Sequence, residues 1–212
     1  MSSSANPIID ALERIEALAA LGWTLPMGMT PREFHGLVME GELTCDRVER
    51  WFADYYDRDD CFEFRRLTDR VLYSDHLSLW NPLLKQVFEA FERSHFSVCV
   101  PSLLLVLEGA IAVPWDVTRF HELRIREGFF RRKIREARTE SVVQYQWKSV
   151  AALIGTVFAG ADPNREFAVP KRNLILHGKS DPAKWDRGDC LRLFQAIDTI
   201  ASLGNELPTR IA

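Results

Sequence analysis

Apolar residues recur at intervals of three and four along almost the whole chain, the spacing of amphipathic helices. Ile8, Leu12, Ile15 and Leu18 form the first stripe. It follows Asn6-Pro7, which reads as an N-cap and a proline at the first helical position. Gly22-Trp23-Thr24-Leu25-Pro26 breaks that helix. Thr30-Pro31-Arg32-Glu33 has the form of a capping box, in which the Thr30 hydroxyl and the Glu33 carboxylate accept from each other's backbone amides. It predicts a short helix to about Met39. Thr44 or Cys45 opens another, with Val48, Trp51, Phe52 and Tyr55 turned inward. Further helices are predicted over 62–73, 82–93, 97–112, 117–138, 141–159, 169–177 and 185–204, the last carrying Leu191, Phe194, Ile197 and Ile200. Asp162-Pro163 and Asp181-Pro182 mark connections before the last two. No alternating run has hairpin punctuation. The expected class is all-α: an antiparallel helical bundle over 75–212, preceded by an N-terminal helical extension over 1–74.

With 212 residues the chain can form one large domain, or a core domain with an appendage. The longest apolar run, 96–114, is interrupted by Pro101 and Glu108. A spanning helix needs about 20 mostly apolar residues, so no membrane segment is expected. Met1 to Asn6 lacks the basic and apolar regions of a secretory signal. Cys45, Cys61, Cys99 and Cys190 show no paired metal-ligand spacing and read as buried or inert thiols. A cytoplasmic protein is the expectation.

The net charge of −3 conceals an asymmetry. Residues 1–70 hold 8 Lys and Arg against 14 Asp and Glu; residues 71–212 hold 19 against 16. An anionic partner is therefore expected on the second part. Within it, residues 119–138 carry 8 basic against 3 acidic side chains. Arg124, Arg131, Arg135 and Arg138 share one helical face, with Phe120, Leu123, Phe130 and Ile134 available to line the core. Such a stripe can track a phosphate backbone, or be a solvated face paired to Glu122, Glu127 and Glu136.

The chemistry concentrates in Pro170-Lys171-Arg172-Asn173-Leu174-Ile175-Leu176-His177-Gly178. Arginine grips phosphate through a planar fork, and histidine moves protons near neutral pH. The spacing alone has little weight, since Arg70 and His76 fit it too. Gly178 supplies context as a helix terminator. On an ideal helix Asn173 and His177 share a face, while Arg172 lies about 140° from His177. Convergence then needs the length of Arg172, a distorted helix, or a second copy across a two-fold axis. Glu108, inside the most apolar helix, needs a partner if buried; an arginine suits it best, and Arg172 is a candidate.

Arg172-Asn173-x-x-x-His177-Gly178, with the preceding apolar helix carrying Glu108-Gly109 and an amphipathic helix behind, resembles the HEPN superfamily. The resemblance covers roughly residues 75–205. Leu21-Gly22-Trp23-Thr24-Leu25-Pro26 looks like an extension found in some bacterial members. It implies a HEPN-like helical bundle that forms a homodimer through the motif helices. Many members are metal-independent RNA endonucleases of toxin–antitoxin, abortive-infection and CRISPR-linked defence systems; others are binding or scaffold modules. Carried over, Arg172 and His177 are catalytic, Asn173 supports them, and no cofactor or metal is required.

On that reading the ribose 2′-OH attacks the adjacent phosphorus, leaving a 2′,3′-cyclic phosphate. His177 acts as general acid or base, and Arg172 stabilises charge on the phosphate oxygens. Glu108 braces the site. Lys171 and Lys179, with Arg124, Arg131, Arg135 and Arg138, form the expected surface for single-stranded or structured RNA. An antitoxin or defence-system protein is the expected further partner. Trp23, Trp51, Tyr55 and Tyr56 lie in the acidic part and read as packing aromatics. His35, His76, His95 and His121 have no partner pattern.

Overall fold

A computed structural model describes residues 7–139, 141–162 and 167–205. At 73% helix, with no strand among the described residues, the fold is all-α. Asn6 and Pro163, read above as a cap and a connection, lie outside the described residues.

The first predicted stripe becomes two helices, α1 (Pro7–Glu13) and α2 (Ile15–Ala20). Arg14 divides them at φ −84°, ψ 1°, and its guanidinium donates to the Val38 carbonyl in α3 (Pro31–Met39). The capping box of α3 is formed: the Glu33 amide donates to Thr30 Oγ1 at 3.3 Å, and the Thr30 amide to Glu33 Oε2 at 2.8 Å. α4 (Cys45–Leu72) is interrupted where the sequence predicts two helices. Arg58 is extended there, and Asp59, Asp60 and Cys61 take positive φ.

After a 3-10 turn at Asp75–Trp80 come α5 (Asn81–Glu92), α6 (Phe96–Ala112), α7 (Leu123–Glu136) and α8 (Val142–Val157). The short α9 (Arg172–Leu176) and a 3-10 turn at Pro182–Lys184 precede α10 (Arg187–Asn205).

α6 and α10 pack together at the centre. α4 and α8 also lie on α10, α5 lies on α6, and α2 and α7 lie on α8. α6 buries residues on nearly every side, including Val100, Leu103, Leu104 and Leu107. α10 buries the predicted Leu191, Phe194, Ile197 and Ile200, and also Gln195, Asp198 and Thr199. Each of these polar groups meets a partner from the first third of the chain, as buried polar groups must. Tyr56 donates to Gln195 Oε1 at 2.8 Å, and Arg70 grips Asp198 with Nε and Nη2 at 2.9 and 2.7 Å. The Thr24 and Thr199 hydroxyls are 2.9 Å apart. Trp23 stacks on Phe52 with ring centroids 4.1 Å apart, so these aromatics do pack inward. Ala11 to Val71 contributes to the same hydrophobic core as the later helices.

Two predicted helices are shorter than their patterns. The 117–138 segment becomes regular only at Leu123. Asp116 and Arg119 take positive φ, and buried Arg126 donates to the carbonyls of Phe120 and His121, at 3.4 and 3.1 Å. Those carbonyls are the acceptors a longer helix would use. Leu123 is 58% exposed instead of lining the core, while Phe120 and Phe130 are buried. The 169–177 segment is helical only at Arg172–Leu176. Pro170 disfavours helix at Val169 and has no amide to donate, and Lys171 is extended at φ −98°, ψ 104°. No described helix is long and apolar enough to cross a membrane.

Candidate functional site

α9 is a single helical turn laid against α6. It ends in a Schellman motif. The Lys179 amide donates to the Leu174 carbonyl at 2.7 Å, and the Gly178 amide to the Ile175 carbonyl at 3.1 Å. Gly178 sits at φ +66°, a conformation open to glycine and costly for most other residues. Leu174 and Ile175 are buried and anchor the turn.

Arg172 is the first residue of this turn. Its Nε and Nη2 both donate to Glu108 Oε2, at 3.1 and 2.8 Å. Its Nη1 donates to Asn173 Oδ1 at 3.1 Å. The guanidinium also lies over the Phe158 ring, 5.6 Å from the centroid. The residue after Glu108 in α6 is glycine. The Trp80 indole lies against Gly109 where a Cβ would stand.

His177 is the C-cap of the turn and is exposed. Its ring makes no hydrogen bond or ion pair among the described residues. Asn173, which the ideal-helix expectation placed on the face of His177, turns its carbonyl oxygen to Arg172. The other matching pair, Arg70 and His76, has separate structural roles. Arg70 holds Asp198, and His76 Nε2 meets the Ala110 carbonyl at 2.8 Å. Burial pulls His76 below its ordinary pKa, favouring the neutral ring with its proton on Nε2.

Lys171 donates to the Thr156 carbonyl at 2.8 Å and covers the Phe167 ring. It therefore caps the C-terminus of α8, where the helix dipole favours a cation. Burial lowers its pKa. Lys179 is exposed, as are Arg124, Arg131 and Arg135 along α7 and Arg138 beyond its end; α7 stops at Glu136 and Ala137 is extended, so Arg138 does not continue the predicted helical face. Of that stripe only Arg131 has an ion pair among the described residues, with Glu127 at 3.7 Å.

The sequence matches no family model. No curated protein and no solved structure matches it either. The site is therefore read from its own geometry.

Arg126 is the residue that sequence reasoning missed. It is 4% exposed and lies over the same Phe158 ring as Arg172, 4.9 Å from the centroid. The signal was present: Arg126 precedes Phe129 and Phe130 by three and four residues, which puts it on the apolar face of α7. Burial lowers its pKa, and Glu127, Glu108 and Arg172 lie close enough to act on its charge. Among the described residues no group of three or more His, Cys, Asp and Glu is arranged to hold a metal ion.

The arrangement can hold an anion and move a proton. The guanidinium is fixed by a carboxylate and an amide, and the histidine is exposed at the end of the same turn. Glu108 sets the direction of Arg172 but also meets part of its hydrogen-bonding capacity. The two remaining N–H donors, one on each terminal nitrogen, are what a ligand can use.

Proposed function

We propose that this protein is a metal-independent RNA endonuclease of the HEPN type, acting as a homodimer in a defence or toxin-type system. The observation that carries the reading is the fixed Arg172, pinned by Glu108 and Asn173, at the start of a short turn that the exposed His177 ends. A pre-oriented fork suits a phosphate whose charge grows during the reaction.

In the proposed reaction the 2′-oxygen bonds to phosphorus and the bond from phosphorus to the 5′-oxygen breaks. One His177 takes the 2′-OH proton. The other, from the second protomer, gives a proton to the departing 5′-oxygen. Arg172 holds the non-bridging oxygens. The dimer is supported by apolar surface around α9. On α6, Val98 and Leu105 are 56% and 49% exposed and seven residues apart, on the face that continues to Glu108. Phe167, under the Lys171 ammonium, and Leu176 of α9 are also exposed.

Wild type, Arg172→Lys and His177→Ala are incubated with labelled single-stranded RNA in EDTA. Wild type alone is expected to cleave, leaving 2′,3′-cyclic phosphate ends. Cleavage that stops when magnesium is removed, or that survives His177→Ala, overturns the assignment. A second reading, a non-catalytic HEPN-like binding or scaffold module, draws on Arg172 being already engaged within its own chain. Folded wild type that binds RNA or a protein partner and cleaves none of several RNAs favours that reading.

A further inference from the structure

Arg126 is a buried cation without a buried counter-ion of its own. Among the described residues no carboxylate lies within ion-pair distance of it. Its Nη1 donates to two backbone carbonyls, Phe120 and His121. No described group accepts from its Nε or Nη2, yet neither atom is sealed from solvent.

Arg126 and Arg172 rest on one ring, at 4.9 and 5.6 Å from the Phe158 centroid. Their separation cannot exceed the two distances together. The carboxylate in this place, Glu108, is bonded to Arg172. The nearby Lys171 ammonium is turned onto the end of α8. Glu127 also acts on Arg126, but it is 54% exposed and lies 3.7 Å from Arg131, so two guanidiniums and one largely buried carboxylate leave positive charge in a partly desolvated place. A charge so placed is costly until an anion joins it.

We propose that Arg126 and Arg172 together form an anion site beside the Phe158 ring, and that its ligand is a phosphate group. This inference rests on the reading that Arg172 meets an RNA phosphate, and adds a second side chain that holds it. Phosphate presents acceptor oxygens in several directions, so it can take N–H donors from two planar forks at once.

The test is a titration of the full-length ¹⁵N-labelled protein with inorganic phosphate in EDTA, following arginine Nε–H signals. Arg126→Lys and Arg172→Lys assign the two signals, with Arg93→Lys, the exposed C-cap of α5, as control. Both signals are expected to move on one saturation curve. Each of the two variants should weaken phosphate binding about tenfold or more, and the control should leave it unchanged. An Arg126 signal that does not move in the wild type overturns the proposal, even if Arg126→Lys fails to fold. So does an Arg126→Lys protein that binds phosphate like the wild type. If both signals move but RNA is never cleaved, the anion site stands and the ribonuclease reading falls. If RNA is cleaved and Arg126→Lys alters neither KM nor rate, the anion inference falls alone.

Discussion

Arg172 closes on Glu108 through Nε and Nη2 at 3.1 and 2.8 Å, both on the same carboxylate oxygen. The two residues are 64 positions apart, and their side chains are 18% and 20% exposed. Glu108→Ala leaves a largely buried guanidinium without its anion. The expected loss of stability is about 1–3 kcal/mol, the range for a charged hydrogen bond, measured by urea unfolding. Glu108→Gln keeps the shape and should lose less. Both variants should cleave RNA more slowly, because Arg172 is no longer held in direction.

Gly109 lets the Trp80 indole lie against the backbone of α6. Gly109→Ala puts a methyl group into that ring, so helix or indole must shift. Overpacking of this kind costs about 1–3 kcal/mol. A lower urea midpoint with an unchanged slope is the expected result. An unchanged midpoint would mean that Trp80 relaxes freely.

Asp189 gives the folded state a pH signature. Burial, then the neighbouring Asp186 carboxylate, push its carboxyl up to about 6 from an ordinary 3.8, against the lowering effect of Arg192. The folded protein therefore binds this proton more tightly than the unfolded chain does. The contribution to stability is greatest at acid pH, falls as pH rises from about 3.8 to about 6, and is flat above. Its size is on the order of 1–3 kcal/mol. Asp189→Asn should flatten the decline over that window in unfolding curves taken at successive pH values. A decline of unchanged steepness would assign it to other groups.

The exposed arginines of α7 are expected to meet RNA through its phosphates. Arg124→Gln with Arg135→Gln should weaken binding of single-stranded RNA and reduce the magnitude of the log–log salt slope by about 0.7 per lost phosphate contact. Fluorescence anisotropy at several salt concentrations reads both. An unaltered slope would assign this face to solvent.

Much of the helical frame was legible because helix formation is local. The Thr30–Glu33 box and the end of α9 at Gly178 follow from residue types within a few positions. The late start of 169–177 is also local, set by Pro170, but two other failures share a different cause. Residues 117–122 have a helical pattern, but Arg126 takes up the carbonyls of Phe120 and His121. The first stripe is cut at Arg14, whose side chain reaches Val38. In each place a long side chain gave the backbone or a neighbouring helix an alternative partner, which periodicity cannot register.

The sequence by itself determined that the chain is helical, which faces are apolar, and that Arg172, Asn173 and His177 fall in one short segment. It also named Arg172 as a candidate partner for Glu108. Only the tertiary structure decided that they meet, that Asn173 accepts from Arg172, and that Arg126 shares the Phe158 ring. Helical periodicity repeats every three to four residues and depends on near neighbours. Pairings across 64 residues depend on how α6, α7, α8 and α9 pack, which local spacing does not encode.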